Sequence, residues 1–129
     1  MTKTEGKILV VDDDEDVLLA ASMLLKRQYS LVKTISNPEK INQILRHEVF
    51  DVVLLDMNFS HDINSGREGF FWLRNIKTLC PGAAVVLFTA YGDVELAVKA
   101  IKEGAFDFVL KPWHNEKLQA TIHAAFGWA

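Results

Sequence analysis

The sequence predicts an α/β fold in which five parallel strands make one sheet with helices on both faces. Three observations lead there. Five short apolar runs alternate with five segments whose apolar residues recur at helical spacing, the pattern of strands joined by crossover helices. The runs are continuous rather than alternating, as in Ile8 to Val11 and Val52 to Leu55, which marks strands covered on both faces. Four of them end abruptly in residues that carry chemistry: Asp12 with Asp13, then Asp56, Thr89 and Lys111.

In chain order, residues 2 to 6 are polar and expected to be loose, and Ile8, Leu9, Val10 and Val11 make the first strand. Beyond the acidic run from Asp12 to Asp16, the set Val17, Leu18, Ala21, Leu24 and Leu25 gives the first helix, with its acids at the positive end of the helix dipole. Leu31, Val32 and Ile35 mark a second strand over 30 to 35. Asn37 then caps a second helix that has Pro38 at its first position, buries Ile41, Ile44 and Leu45, and ends near His47. The third strand occupies 51 to 55 and delivers Asp56. After a polar loop, Phe70, Phe71, Leu73, Ile76 and Leu79 supply the apolar side of a third helix, which Cys80, Pro81 and Gly82 stop. Ala83 to Phe88 form the fourth strand, ending in Thr89. Gly92 and Asp93 open a fourth helix with Val94, Ala97, Val98 and Ile101 on its packed face and Gly104 as its stop. Phe106, Phe108, Val109 and Leu110 make the last strand, and a fifth helix runs from about 115 to 126.

Composition narrows the function. A chain of 129 residues that is half hydrophobic is one ordinary globular domain. The net charge of -3, with no Lys/Arg cluster, argues against direct contact with nucleic acid. Cys80 is alone, Met1 leads into polar residues, and no apolar run is long enough for a bilayer, so the expected compartment is the cytoplasm with no membrane contact.

Parallel strands point the same way, so their carboxyl ends bring residues some 20 to 45 positions apart to one crevice, where open α/β sheets bind ligands. Two carboxylates about 4 Å apart repel by roughly 4 kcal/mol at an effective dielectric of 20, and three of them call for a cation. Hard oxygen donors without His or Cys select Mg2+ over zinc. A carboxylate nucleophile, a magnesium ion, a lysine and a hydroxyl donor suit transfer of a phosphoryl group onto an Asp side chain, and Asp56 is the acceptor.

These residues resemble the receiver domain of bacterial two-component response regulators. The likeness runs from Ile8 through Asp14, Leu54 through Met57 and Phe88-Thr89-Ala90 to Lys111-Pro112. The stretch from Thr89 to Asp93 and that from Gly104 to Phe108 are similar to the NtrC class. The resemblance implies a flavodoxin-like fold and a phosphoryl group taken by Asp56 from the phosphohistidine of a sensor histidine kinase. It implies Mg2+ held by Asp13, Asp56 and the backbone carbonyl of Asn58, with Asp12 assisting through water. Lys111 and the Thr89 hydroxyl would meet phosphoryl oxygens, and the amides of Met57 and Ala90 would complete the cradle. It also implies a cis Lys111-Pro112 bond and a switch in which Thr89 moves inward and Phe108 turns into the vacated space. The surface of helix four, strand five and helix five would then engage an output domain or protein partner, or a second copy in a phosphorylation-dependent dimer, in transcriptional control. Such a domain is not an enzyme in the ordinary sense, although it assists its own phosphorylation and dephosphorylation. The chain closes after the fifth helix, so residues 1–129 are expected to be the receiver alone, with any output domain outside them.

The sequence departs from that pattern between Asp56 and Gly69, where twelve residues, Met57 to Glu68, replace a compact turn and the customary proline is missing. His61, Asp62, Asn64, Arg67 and Glu68 lie there, either in a solvated surface insertion or reaching the phosphoryl site to change its hydrolysis, and ligation through Asn58 is the role most affected. His47, His61, His114 and His123 lack the spacing of a shared metal site. Trp113 is expected as a partly exposed neighbour of the site and a fluorescence reporter, with Phe70, Phe71 and Trp72 in the core or facing a partner. Two other readings compete. A magnesium-dependent phosphohydrolase passing through an aspartyl phosphate wants a second acid two residues after the nucleophile, where this chain has Asn58. A protein-binding domain with a dead site would not need the set Asp13, Asp56, Thr89 and Lys111 intact.

Overall fold

Continuous apolar runs become strands with both faces closed. The computed structural model describes residues 4–57 and 67–127. Its strands are β1 (Thr4–Val11), β2 (Tyr29–Ile35), β3 (Val52–Asp56), β4 (Ala84–Ala90) and β5 (Asp107–Lys111). Between and after them lie α1 (Glu15–Leu25), α2 (Ile41–His47), α3 (Arg67–Leu79), α4 (Val94–Lys102) and α5 (Asn115–Phe126). All strand pairs are parallel, in the order β2-β1-β3-β4-β5. The order reverses between β1 and β3, and the crevice of such a fold opens beyond their carboxyl ends.

Strand parity divides the core in two. Leu9, Val11, Val53, Leu55, Val85 and Leu87 pack under α2, α3 and α4. Ile8, Val10, Val52, Leu54, Val86 and Phe88 pack under α1 and α5. Full burial of such a side chain contributes about 1.5–3 kcal/mol, so the central strands β1, β3 and β4 are the firmest part of the sheet.

Local signals fix the helix starts. The Asp14 carboxylate accepts from the amides of Asp16 and Val17 at 2.9 and 3.4 Å and caps α1. The Asn37 side chain accepts from the Glu39 amide at 3.0 Å, but the first turn it caps, Pro38–Lys40, is a 3₁₀ turn that leads into α2. A second 3₁₀ turn, Tyr91–Asp93, precedes α4. Gly104 closes α4 at φ 116°, a backbone angle that disfavours any side chain.

Three expectations need correction. Residues 4 to 6 are not loose but extend β1, because backbone pairing with β2 does not depend on apolar side chains: Thr4 stands opposite Tyr29, and the Gly6 amide donates to the Ser30 hydroxyl at 3.2 Å. Val98 faces outward at 44% exposure, since α4 seats its small residues Ala97 and Ala100 on the sheet and a 100° step from Ala97 leaves that face. Phe71 is likewise 56% exposed, one step past the buried Phe70, and stands edge-on to the buried Trp72 at 4.8 Å.

Gly69 brings α3 close to the chain just after Asp56. A Cβ there would lie 2.7 Å from the Met57 carbonyl oxygen and 2.9 Å from its sulfur. Gly69→Ala is therefore expected to destabilise the fold by about 1–3 kcal/mol through overpacking, outweighing the roughly 1 kcal/mol that Ala gains over Gly in a helix. Urea unfolding of the two proteins measures the difference, and a variant as stable as wild type would refute the close contact.

Candidate functional site

Three acids meet at the crevice. Asp12 follows the last residue of β1 and Asp56 is the last of β3, and both keep the parity of the α1/α5 side of the sheet. Asp12 is fully buried and Asp56 is 1% exposed, while Asp13 reaches solvent. One carboxylate oxygen from each of Asp12, Asp13 and Asp56 lies within 4.8 Å of the others. Charges 4.8 Å apart repel by about 3.5 kcal/mol at an effective dielectric of 20.

Lys111 offsets part of that repulsion. Its Nζ donates to Asp12 Oδ2 at 2.9 Å and sits 3.3 Å from Asp56 Oδ1, having crossed from the end of β5. The Lys111-Pro112 peptide bond is cis, as the resemblance implied. Asp12 also accepts from the Asp14 amide at 2.9 Å. Even so, burial pushes the Asp12 carboxyl above its usual value, against the Lys111 and Asp14 hydrogen bonds that lower it. Burial alone would lower the Lys111 ammonium, but the charges of Asp56 and Asp12 outweigh it and hold the pKa above the ordinary lysine value.

Thr89 and Phe108 occupy the opposite side of the sheet by parity. Thr89 is fully buried and its hydroxyl donates to the Asp93 carbonyl at 3.4 Å. Phe108 is partly buried against the α2/α3/α4 core, beside Leu87 in the ladder. The Met57 amide donates to the Phe88 carbonyl at 2.9 Å, so it is engaged in the sheet. Ala90 is exposed at the end of β4, opposite Lys111. Asn58, and the loop residues His61, Asp62 and Asn64, lie outside the described residues. Sequence reasoning gathered Asp12, Asp13, Asp56, Thr89 and Lys111 at one crevice, and the structure brings the three acids and Lys111 together while Thr89 is bonded to the Asp93 carbonyl. That reasoning missed that Phe88 lies beside the acids and Lys111, its ring centre 5.6 Å from Lys111 Nζ, with Trp113 stacked on it. Phe88 shares parity with Asp56 because the two pair directly across the sheet, a register that the order of residues does not give.

A family model described as the response regulator receiver domain matches residues 8–123. The chain belongs to that family. The receiver is 37% identical over 126 residues to the transcriptional regulatory protein ZraR of Escherichia coli K12, covering 97% of this chain and 27% of that one. It is 33% identical to a putative NtrX-like response regulator of Rickettsia bellii, covering 92% of this chain and 24% of the other. These relatives are of the NtrC class. The solved N-terminal signal receiver domain of a two-component response regulator from Bacteroides fragilis superposes with a TM-score of 0.87 at 48% identity, covering 98% of this receiver and all of that chain. The receiver thus spans about a quarter of the length of the curated relatives it matches. Proteins of this family are signalling components rather than classical enzymes. Among the described residues no helix is long and apolar enough to cross a membrane.

The donor set suits a hard dication. Among the described residues the cluster offers only carboxylate oxygens, no His or Cys, and carries more negative charge than Lys111 balances. Proton and dication compete for Asp12, so Mg2+ affinity is expected to fall as pH drops through the raised Asp12 value, starting above the ordinary aspartate pKa of about 3.9. The sign for stability is opposite. The folded form holds the Asp12 proton more tightly, so without dication this group costs stability as pH rises from about 3.9 through its folded value. A Mg2+ titration by calorimetry from pH 7 down to 4 tests the first statement, and an affinity flat down to pH 4 would overturn it.

Proposed function

We propose that this receiver is a phosphorylation-controlled signalling switch. It accepts a phosphoryl group onto Asp56 from the phosphohistidine of a sensor histidine kinase and, once modified, presents an altered α4, β5 and α5 surface. The observation that carries this reading is the placement of the Lys111 ammonium 2.9 Å from Asp12 and 3.3 Å from Asp56, beside a cluster that also contains Asp13.

An Asp56 carboxylate oxygen forms a bond to phosphorus as the phosphorus–nitrogen bond to the kinase imidazole breaks, and the imidazole leaves with that electron pair and takes up a proton. Asp13, Asp56 and the Asn58 carbonyl would hold Mg2+, with Asp12 assisting through water, and the ion would supply positive charge against the phosphoryl oxygens. Lys111 pairs with a phosphoryl oxygen, for which its charge is already aimed at the acceptor. Thr89 exchanges the Asp93 carbonyl for another phosphoryl oxygen, a bond to a charged acceptor in place of a neutral one. The Ala90 amide joins the cradle, and the Met57 amide does so by sharing its proton between Phe88 and the phosphoryl group. Phosphorylation replaces the single negative charge of the Asp56 carboxylate with about two on the phosphoryl group, whose oxygens are strong acceptors that draw Thr89 inward. Phe108, on the same side of the sheet, then turns toward the vacated space and changes the surface by packing, since it has no hydroxyl.

The partners follow from this role: a kinase, and an output domain or protein that reads the changed surface, with a phosphorylation-dependent dimer as one form of that reading. The name of ZraR favours a transcriptional output. Residues 1–129 act as the phosphoacceptor domain in the cytoplasm, without touching nucleic acid or membrane themselves. Incubation with acetyl phosphate and Mg2+ followed by mass spectrometry should place the added mass on Asp56. Label on Asp12 or Asp13 instead would sink the assignment.

A further inference from the structure

Lysine carries its charge on a long flexible stem, so bonds at the tip do not by themselves fix where that stem runs. In this receiver the tip lies over an aromatic ring. Phe88 is fully buried, pairs with Asp56 on one side and Val109 on the other, and points to the same side of the sheet as Asp12, Asp56 and Lys111. Lys111 Nζ lies 5.6 Å from the centre of its ring, within the range of a cation–π contact. Trp113 stacks on that ring, with centroids 5.1 Å apart and planes inclined by 22°. The indole is itself held, because its Nε1 donates to Asn115 Oδ1 at 3.1 Å in the first residue of α5.

We propose that the stacked pair of Phe88 and Trp113 positions Lys111, aiming its ammonium at Asp12 and Asp56. Asn115 holds Trp113, Trp113 keeps the Phe88 ring in place, and the ring sets the path of the lysine. Both aromatics act through Lys111, so both are positioning residues. Their consequence for phosphoryl transfer rests on the function proposed above, whereas their effect on the lysine does not.

Lysines labelled with 13C at the ε carbon give the decisive measurement, without Mg2+ or phosphate. A pinned ε-methylene shows two proton shifts and a freely turning one shows a single averaged shift. Lys111 in the wild type is expected to show two, assigned by their loss in Lys111→Ala. They should collapse toward one in Trp113→Ala and in Phe88→Leu, and persist in Trp113→Phe, which keeps a stacking ring. A single shift in wild type, or two shifts surviving in Trp113→Ala or in a folded Phe88→Leu, would overturn the proposal. Should Phe88→Leu fail to fold, Trp113→Ala decides alone, since Trp113 is only partly buried. The labelling rate with acetyl phosphate should fall by about tenfold in Trp113→Ala, short of the hundredfold that an ångström of misplacement can cost, and recover in Trp113→Phe. Collapse of the shifts with no label on wild-type Asp56 would sink the phosphoacceptor reading and leave the positioning intact.

Discussion

Asp56→Asn is expected to take up no phosphoryl group from acetyl phosphate or from a purified kinase under conditions that label the wild type. The loss is expected to be complete rather than partial, because an amide oxygen is neither anionic nor a competent nucleophile at phosphorus. Asp12 cannot substitute, since its Oδ2 is bonded to Lys111 and its Oδ1 to the Asp14 amide. Asp13 reaches solvent beside the site, so hydrolysis or stray label there is the outcome to watch for. The variant should fold, as it lowers the number of carboxylates in the cluster beside Lys111 from three to two. For the same reason its Mg2+ affinity should drop. Mass spectrometry after acetyl phosphate treatment and a Mg2+ titration check both halves. Label persisting elsewhere at wild-type yield would remove Asp56 from the centre of the mechanism.

Lys111→Ala should be the most damaging change to the unliganded fold. It leaves Asp12, fully buried, and Asp56, at 1% exposure, without the cation that lies between them. Breaking a buried ion pair by removing one partner costs about 3–5 kcal/mol, and because the Lys111 side chain is 25% exposed the loss here is expected near the lower end, about 3 kcal/mol. Millimolar Mg2+ should restore part of it, since a ligand of the folded state stabilises by mass action. The pH dependence has a definite sign. The Lys111 pKa is raised in the folded state, so its contribution is fully present below the ordinary lysine value of about 10.4 and is lost as pH rises through the higher folded value. That alkaline loss should be missing from the variant. Urea unfolding with and without Mg2+, at neutral and alkaline pH, measures each point. The variant is also expected to accept label without responding to it, so amide shifts in α4 and α5 should stay at their unlabelled positions. Wild-type stability in the absence of Mg2+ would show that the lysine does not compensate the buried acids.

The sheet and most of the site could be read directly, because the signals involved are local. Val52 to Leu55 are apolar without interruption and buried throughout, and a carboxylate that ends such a run has one place to go. Asp12, Asp56 and Lys111 then converge because parallel strands present the same end. What escaped the reading depended on neighbours distant in sequence. Thr4 to Gly6 look like a loose leader until β2 offers its backbone. Val98 and Phe71 match a helical apolar stripe, yet which arc of the helix is buried depends on how closely small residues such as Ala97 let it approach. The stack of Trp113 on Phe88 joins residues from two strand ends and leaves no periodic trace.

The alternation of side chains along β4 has a further consequence. Phe88 and Thr89 are adjacent in the chain, about 3.3 Å apart along the strand, yet they look into separate layers, one shared with the acids and one with Phe108. Substitutions that reshape the packing around one residue therefore need not disturb the other. The sheet separates the two layers along its length, so a change of packing in one reaches the other chiefly around the polar rim at the strand ends.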